Sequence, residues 1–261
     1  MKKKRLLLCG LPLLCLGGVV FCGWNFYLEM VPRVSAELAY DQLRELAFRN
    51  TDVMLKKDNN VAAIDIRVRE KPDFDTLLEQ YPDITGWLWS PGSEIDYPVV
   101  QGQDNEYYLN HTADGARSII GSIFMENKNQ KEFQDDVTIL YGHHIRGGQM
   151  FSSLSGYKKQ AYYEKHPVMY LFTPGKNYRV DLFAGEVRAG QNGAFPIIFE
   201  SEDKRERWLS KLLASSTFTS LVSLGDKERI LALCTCSYEY DDARYVVYGV
   251  LSDMEEEKNE S

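Results

Sequence analysis

The sequence predicts an all-β domain closed into an eight-stranded barrel, with a helical appendage ahead of it and one helix inserted late in the chain. Three observations carry that prediction. Eight short runs, VRE at 68–70, DYPVV, GSIFME, DVTILYG, HPVMYLF, YRVDLFAGEV, RILALCTC and RYVVYGVL, are separated by Gly, Pro or Asp and read as strands. Closing them on themselves is economical because it removes open strand edges. The segment SEDKRERWLSKLLASS, 201–216, breaks the pattern with Trp208, Leu209, Leu212 and Leu213 on one side of a helix, directly before the strand RILALCTC. The 261 residues, 44% of them hydrophobic, suffice for one sizeable core.

Taken in order, MKKKR is followed by LLLCGLPLLCLGGVVFCGW at 6–24, a run without ionisable side chains other than thiols. At about 1.5 Å per residue, a helix of that length nearly spans a hydrocarbon core of roughly 30 Å. The run is therefore expected to be an uncleaved transmembrane signal-anchor, with 1–5 as a cytoplasmic basic tail and the remainder extracellular. This describes a single-pass protein of the cell membrane. A cleaved signal would want small residues just past the run, where Gly23, Trp24 and Asn25 stand. A lipoprotein signal would want a small residue before a cysteine, and Leu8, Leu14 and Phe21 occupy those places.

Residues 25–72 read as an extracellular helical appendage and link. SAELAYDQLRELAFRN at 35–50 is the helix, with Ser35 placed to cap it, and 51–62 is weakly patterned. The barrel domain occupies 73–252. It opens with a short helix that Asp73 caps and Pro82 stops, and a Pro-Gly turn then leads into DYPVV. Residues 253–261 form an acidic tail expected to fray.

Charge narrows the function classes. The formal net charge is -8, and the first five residues hold four of the 30 basic side chains, so the remainder is more acidic still. With no basic stripe standing out, no nucleic-acid partner is expected. Of five cysteines, Cys9, Cys15 and Cys22 lie in the apolar run and only Cys234 and Cys236 in the body, which excludes a disulfide scaffold. C-x-C with two histidines is not a zinc spacing, so no metal or cofactor is expected. Neighbours on one strand face also sit too far apart for an unstrained disulfide.

Side chains alternate along a strand, so Ala232, Cys234 and Cys236 share one face while Leu233 and Thr235 share the other. Cys236 ends its apolar run beside a loop. If RILALCTC and ARYVVYGVL pair as a hairpin, Arg244 lies near Cys236, where its fixed positive charge can face a thiolate or a developing oxyanion. A cysteine nucleophile also needs a proton manager. Among the four histidines, His143 and His144 end the strand DVTILYG, while His111 and His166 read as loop residues. Taken singly these residues are ambiguous: a buried cysteine is usually a small inert hydrophobe, and a lone arginine is usually a surface ion-pair partner.

Together, ALCTC-x7-R and the upstream YGHH resemble the signature of the sortases, the membrane-anchored cysteine transpeptidases of Gram-positive bacteria. PDITGWLWSPGSEIDYPVVQGQDNEYYL, GSIFME and LYGHHIRGGQMF resemble the class B branch, and the similarity runs from about Asp73 to Leu251. The resemblance implies Cys236 as nucleophile, His143 as general acid/base with His144 only its neighbour, Arg244 as the arginine that steadies substrate and oxyanion, and Thr235 in the oxyanion's vicinity. Ala232 departs from the family's usual threonine, and Cys234 occupies its variable position. Cys234 is read as a space-filler, with capture of an oxidised Cys236 as the alternative.

The partners implied are secreted proteins bearing a C-terminal sorting signal, a peptidoglycan precursor or wall-peptide amine, and the membrane. The implied reaction is cleavage of the sorting signal through a thioester and transfer of the acyl group to that amine. Transfer to water by an endopeptidase, polymerisation of pilins through a lysine, and an idle adhesin on the same barrel are the alternatives.

Overall fold

The protein's structure, a computed structural model, describes residues 2–48, 71–145, 147–190, 195–225, 227–236 and 242–254. Its elements are α1 (Lys2–Ala47), α2 (Phe74–Gln80), β1 (Ile84–Trp89), β2 (Asp96–Val100), β3 (Ile123–Met125), β4 (Val137–Tyr141), α3 (Gln160–Tyr163), β5 (Val168–Phe172), β6 (Asn177–Ala189), α4 (Glu202–Ser215), β7 (Arg229–Cys236) and β8 (Ala243–Asp253). Among the described residues eight strands close a barrel in the order β1, β2, β3, β4, β7, β8, β6, β5. The β2–β3 and β4–β7 pairs are parallel and the others antiparallel.

Period-two alternation sorts the side chains of the central strands into two apolar layers. Leu140, Leu231, Leu233, Tyr245 and Val247 point into the barrel. Ile139, Ala232, Cys234, Val246 and Tyr248 point outward into a second cluster, roofed by Trp208, Leu209 and Leu212 of α4. The loss of a hydroxyl at Ala232 therefore bears on packing beneath α4. Ser201 caps α4 by accepting from the Lys204 amide at 3.3 Å, and the acidic Glu202 and Asp203 fill its first turn, where the helix dipole favours them.

The short helix α2 follows expectation: Asp73 accepts from the Thr76 amide at 3.1 Å, and the helix stops just before Pro82. The next strand, ITGWLW, is absent from the eight runs read in the sequence. It is almost wholly buried and shows no polar alternation. Gly86 is required within it, because a Cβ there would stand 2.9 Å from the Phe172 carbonyl oxygen. The run VRE at 68–70 lies outside the described residues.

The N-terminal expectations need correction. Residues 6–24 and 35–47 are parts of one helix, α1, so Ser35 is an interior residue whose hydroxyl donates to the Pro32 carbonyl at 3.0 Å. Among the described residues no helix is long and apolar enough to cross a membrane, which overturns the single-pass localisation. Beyond Trp24 the helix carries Glu29, Arg33, Glu37, Asp41, Arg44 and Glu45, so charge recurs about once per turn along its course to the barrel. Its end is docked by buried groups. The Tyr40 hydroxyl donates to the Gly121 carbonyl at 2.7 Å, Arg44 donates to the Asp96 carbonyl at 3.1 Å, and Phe48 meets the Trp87 ring edge-on.

Candidate active site

Parallel pairing sets the site. Tyr141 at the end of β4 lies beside Cys234 of β7, and the pairing continues one residue further as the Gly142 amide donates to the Cys234 carbonyl at 3.1 Å. His143 and Cys236 are each two residues beyond that matched pair, so two strands deliver them in step. On the other side of β7, Cys236 is directly opposite Arg244 of β8. Three adjacent strands thus bring the backbones of His143, Cys236 and Arg244 to one end of the barrel.

The turn that aims His143 depends on glycine. A Cβ at Gly142 would stand 2.7 Å from the Phe151 ring. The ring of Phe151 underlies the turn, and its amide donates to the His143 carbonyl at 3.1 Å. His143 Nε2 lies 2.8 Å from the Leu109 carbonyl oxygen. Because a carbonyl only accepts, Nε2 carries the proton in the neutral ring and Nδ1 is the nitrogen able to take one up. His144 forms a backbone bridge with Met150 instead.

A cavity of about 320 Å³ opens here, lined in part by Asn105, Leu109, Tyr141, His143, Thr235 and Arg244. His143 lines it and His144 does not. Arg244 Nη2 is held 3.1 Å from Asp242 Oδ1. Asp242 itself has φ 60°, and its carbonyl accepts from the Gly190 amide at 2.8 Å. A Cβ at Gly190 would collide with that carboxylate at 2.5 Å, so the glycine leaves it room.

Over residues 90–252 the sequence matches the sortase domain. The chain belongs to the sortase family. It is 31% identical to sortase B of Listeria monocytogenes over 253 residues, covering 96% of this chain and 99% of that relative. Sortase B of Staphylococcus aureus is 32% identical over 172 residues, 66% of this chain and 70% of that one. The solved Staphylococcus aureus sortase B–substrate complex superposes with a TM-score of 0.73 at 28% identity, covering 85% of this chain and 99% of that chain. These relatives put this sortase in class B and make it a cysteine transpeptidase of the cell wall.

Several groups in this sortase's cavity escaped the reading of its sequence. Glu126, just past β3, accepts from Asn105 Nδ2 at 2.9 Å and from the Tyr141 hydroxyl at 3.1 Å, tying a loop to the strand that carries His143. Burial first, and the Glu126 carboxylate next, push the Tyr141 phenol above its ordinary range, so it stays a donor. Tyr141 stands in the YGHH motif and could have been singled out there; Asn105 had no signal beyond its place in a polar loop.

Thr235 points to the barrel side of β7, where its Oγ1 is buried with no hydrogen-bond partner among the described residues. Cys234 is a buried thiol of the outer cluster that also reaches the cavity wall.

Proposed function

We propose that this sortase cleaves a sorting peptide at the C-terminal region of a secreted protein and joins the new carboxyl end to an amine of a wall peptide. Cys236 is the nucleophile: its thiolate attacks the scissile carbonyl carbon, and the carbonyl electrons move onto oxygen. Arg244 faces that oxyanion, aided by backbone amides near Thr235. As the tetrahedral intermediate collapses, the C–N bond breaks and protonated His143 gives its proton to the departing amine, leaving a thioester on Cys236. The incoming amine attacks the thioester and passes a proton to His143. The new amide leaves, and the thiolate and imidazolium are restored.

The observation that supports these roles is the register, with Tyr141 beside Cys234 and Arg244 across from Cys236. Asp242 favours one orientation of Arg244, and the Leu109 carbonyl favours one tautomer of His143. The test incubates the protein with a pentapeptide library, with and without an amine acceptor, and follows enzyme and products by intact mass. An acyl adduct on Cys236 that moves to the amine is the expected result. Free acid in the presence of every acceptor would replace transpeptidation by hydrolysis, and the absence of any adduct would remove Cys236 from the chemistry.

A further inference from the structure

Every backbone carbonyl from Tyr107 to His111 accepts a hydrogen bond. The Tyr107 carbonyl accepts from the Asn110 amide at 3.2 Å, that of Tyr108 from the Ser122 amide at 2.9 Å, and that of Asn110 from the Ser118 amide at 2.8 Å. The His111 carbonyl accepts from the Ser122 hydroxyl at 2.8 Å. The Leu109 carbonyl goes to His143. Segment 118–122 therefore holds the carbonyls on both sides of Leu109 and determines where the middle one points. Gly121 completes the fit. It has φ 57°, and a Cβ there would stand 2.6 Å from both the Leu109 and the Tyr108 carbonyl oxygens, so its backbone lies directly against the group that His143 binds.

That segment is in turn held by α1. Tyr40, buried at 1% exposure, donates to the Gly121 carbonyl at 2.7 Å, and its hydroxyl lies 3.0 Å from Ser122 Oγ, the atom that donates to His111. The Tyr97 ring meets Tyr40 edge-on at 5.2 Å. Phenylalanine would serve that packing equally well; the hydroxyl is what addresses Gly121 and Ser122. Burial pushes the Tyr40 phenol above its ordinary range, so it stays a donor. Glu37, one turn earlier on α1, accepts from Gln149 Nε2 at 2.6 Å in the loop that follows His143. The helix thus reaches the surroundings of His143 from two directions.

We propose that Tyr40 is a positioning residue for His143. Through Gly121 and Ser122 it fixes the Leu109 carbonyl, and with it the orientation of the ring and the proton on Nε2. Its effect on turnover rests on the reading of His143 as general acid and base. Nδ1 is then the nitrogen left to exchange a proton with the substrate, and a misplacement of about 1 Å in such a group can cost about 100-fold.

The test labels the histidines of the full chain with nitrogen-15 and follows the His143 Nε2 proton, assigned by its disappearance in His143→Ala. In Tyr40→Phe its exchange with water is expected to be about 5-fold to 30-fold faster, the factor carried by one buried hydrogen bond. Tyr178→Phe removes another buried phenol, at the opposite end of the barrel, and should leave the exchange unchanged. A thermal midpoint checks folding. Ser122→Ala, which keeps the phenol and cuts the tether to His111, decides the matter if Tyr40→Phe does not fold, with exchange at least about two-fold faster expected. Unchanged exchange in the folded variant, or an equal rise in Tyr178→Phe, would overturn the proposal. Turnover separates it from the role of His143. With a peptide that acylates Cys236, faster exchange together with a lower kcat at constant KM supports both, whereas faster exchange at constant kcat keeps the hold of Tyr40 on the ring and removes His143 from the chemistry.

Discussion

Two cavities of similar size open at opposite ends of the barrel, about 320 Å³ where β4 and β7 finish and about 340 Å³ where they begin. The far cavity is lined by Ile84, Gln134, Lys176, Tyr178 and others around the tight β5–β6 turn. Lys176 of that lining is tied into an ion-pair cluster beside it. Lys176 and Arg229 both bind Asp253, at 2.7 and 2.6 Å, and Arg229 also covers the Tyr178 ring. At the site end β4 and β7 run out in parallel and β8 starts opposite β7, so the backbones of His143, Cys236 and Arg244 come to the same end of the barrel. Volume alone does not separate the two ends; the direction in which the strands run out does.

The strongest way to break this comparison is to remove the sulfur. Cys236→Ala should abolish the acyl adduct in intact mass spectra, while Lys176→Ala at the far end should leave its rate of formation within about two-fold, as surface changes remote from the chemistry do. Equal losses would mean that the ends had been wrongly distinguished. His143→Ala should slow turnover by about 100-fold to 10,000-fold, the usual value of positioned proton transfer, with His144→Ala retaining most activity; the reverse ranking in a rate assay would exchange their roles. Loss of the Arg244 guanidinium should cost about 100-fold to 1,000-fold in kcat if it meets the oxyanion. A change confined to KM would make it a binding group.

Two smaller effects sharpen the contrast. The Thr235 hydroxyl is buried without a hydrogen-bond partner among the described residues, so Thr235→Val should be neutral or stabilising by up to about 1 kcal/mol in a denaturant titration. A large loss of activity in that variant would reveal work for the hydroxyl itself, beyond that of the neighbouring backbone. At the far end, a hydrogen bond from Lys176, with help from Arg229, holds the Asp253 carboxyl below its ordinary value of 3.8. A depressed folded-state value adds stability above the ordinary value and loses it as pH falls through the folded one. Asp253 is half exposed, so each pair is worth about 0.2–1 kcal/mol. Asp253→Asn should therefore lower the thermal midpoint slightly at neutral pH and not at about pH 2.

Legibility in the sequence followed the physics of each segment. Strands announced themselves by short apolar runs set between Gly, Pro or Asp, as DYPVV and HPVMYLF did, although both are buried at four of five strand positions. ITGWLW is buried on nearly all sides, and a run of that kind carries no period to read. The α1 helix was divided at Ser35 because a serine before an amphipathic run looks like a cap, although the turns preceding it are helical too. At the site, local pairing made the Cys236–Arg244 neighbourhood readable, since a hairpin follows from two strands and a turn. The adjacency of β4 and β7 is a parallel, long-range pairing, Asn105 arrives from a loop and Leu109 from the short 3-10 helix Tyr107–Leu109. No local pattern encodes either.

That β4–β7 pairing also orders the making of the enzyme. Strands β7 and β8 come after every other strand in the chain, yet in space they stand between β4 and β6. While the chain is being synthesised, the histidine strand and α4 exist before the strand that must lie between β4 and β8, and the long-range contacts that form last are the slow ones. Cys236 and Arg244 therefore arrive together and late. A nascent chain that ends before β7 has an open barrel with two neighbouring staves missing, and it has no cysteine after Cys22.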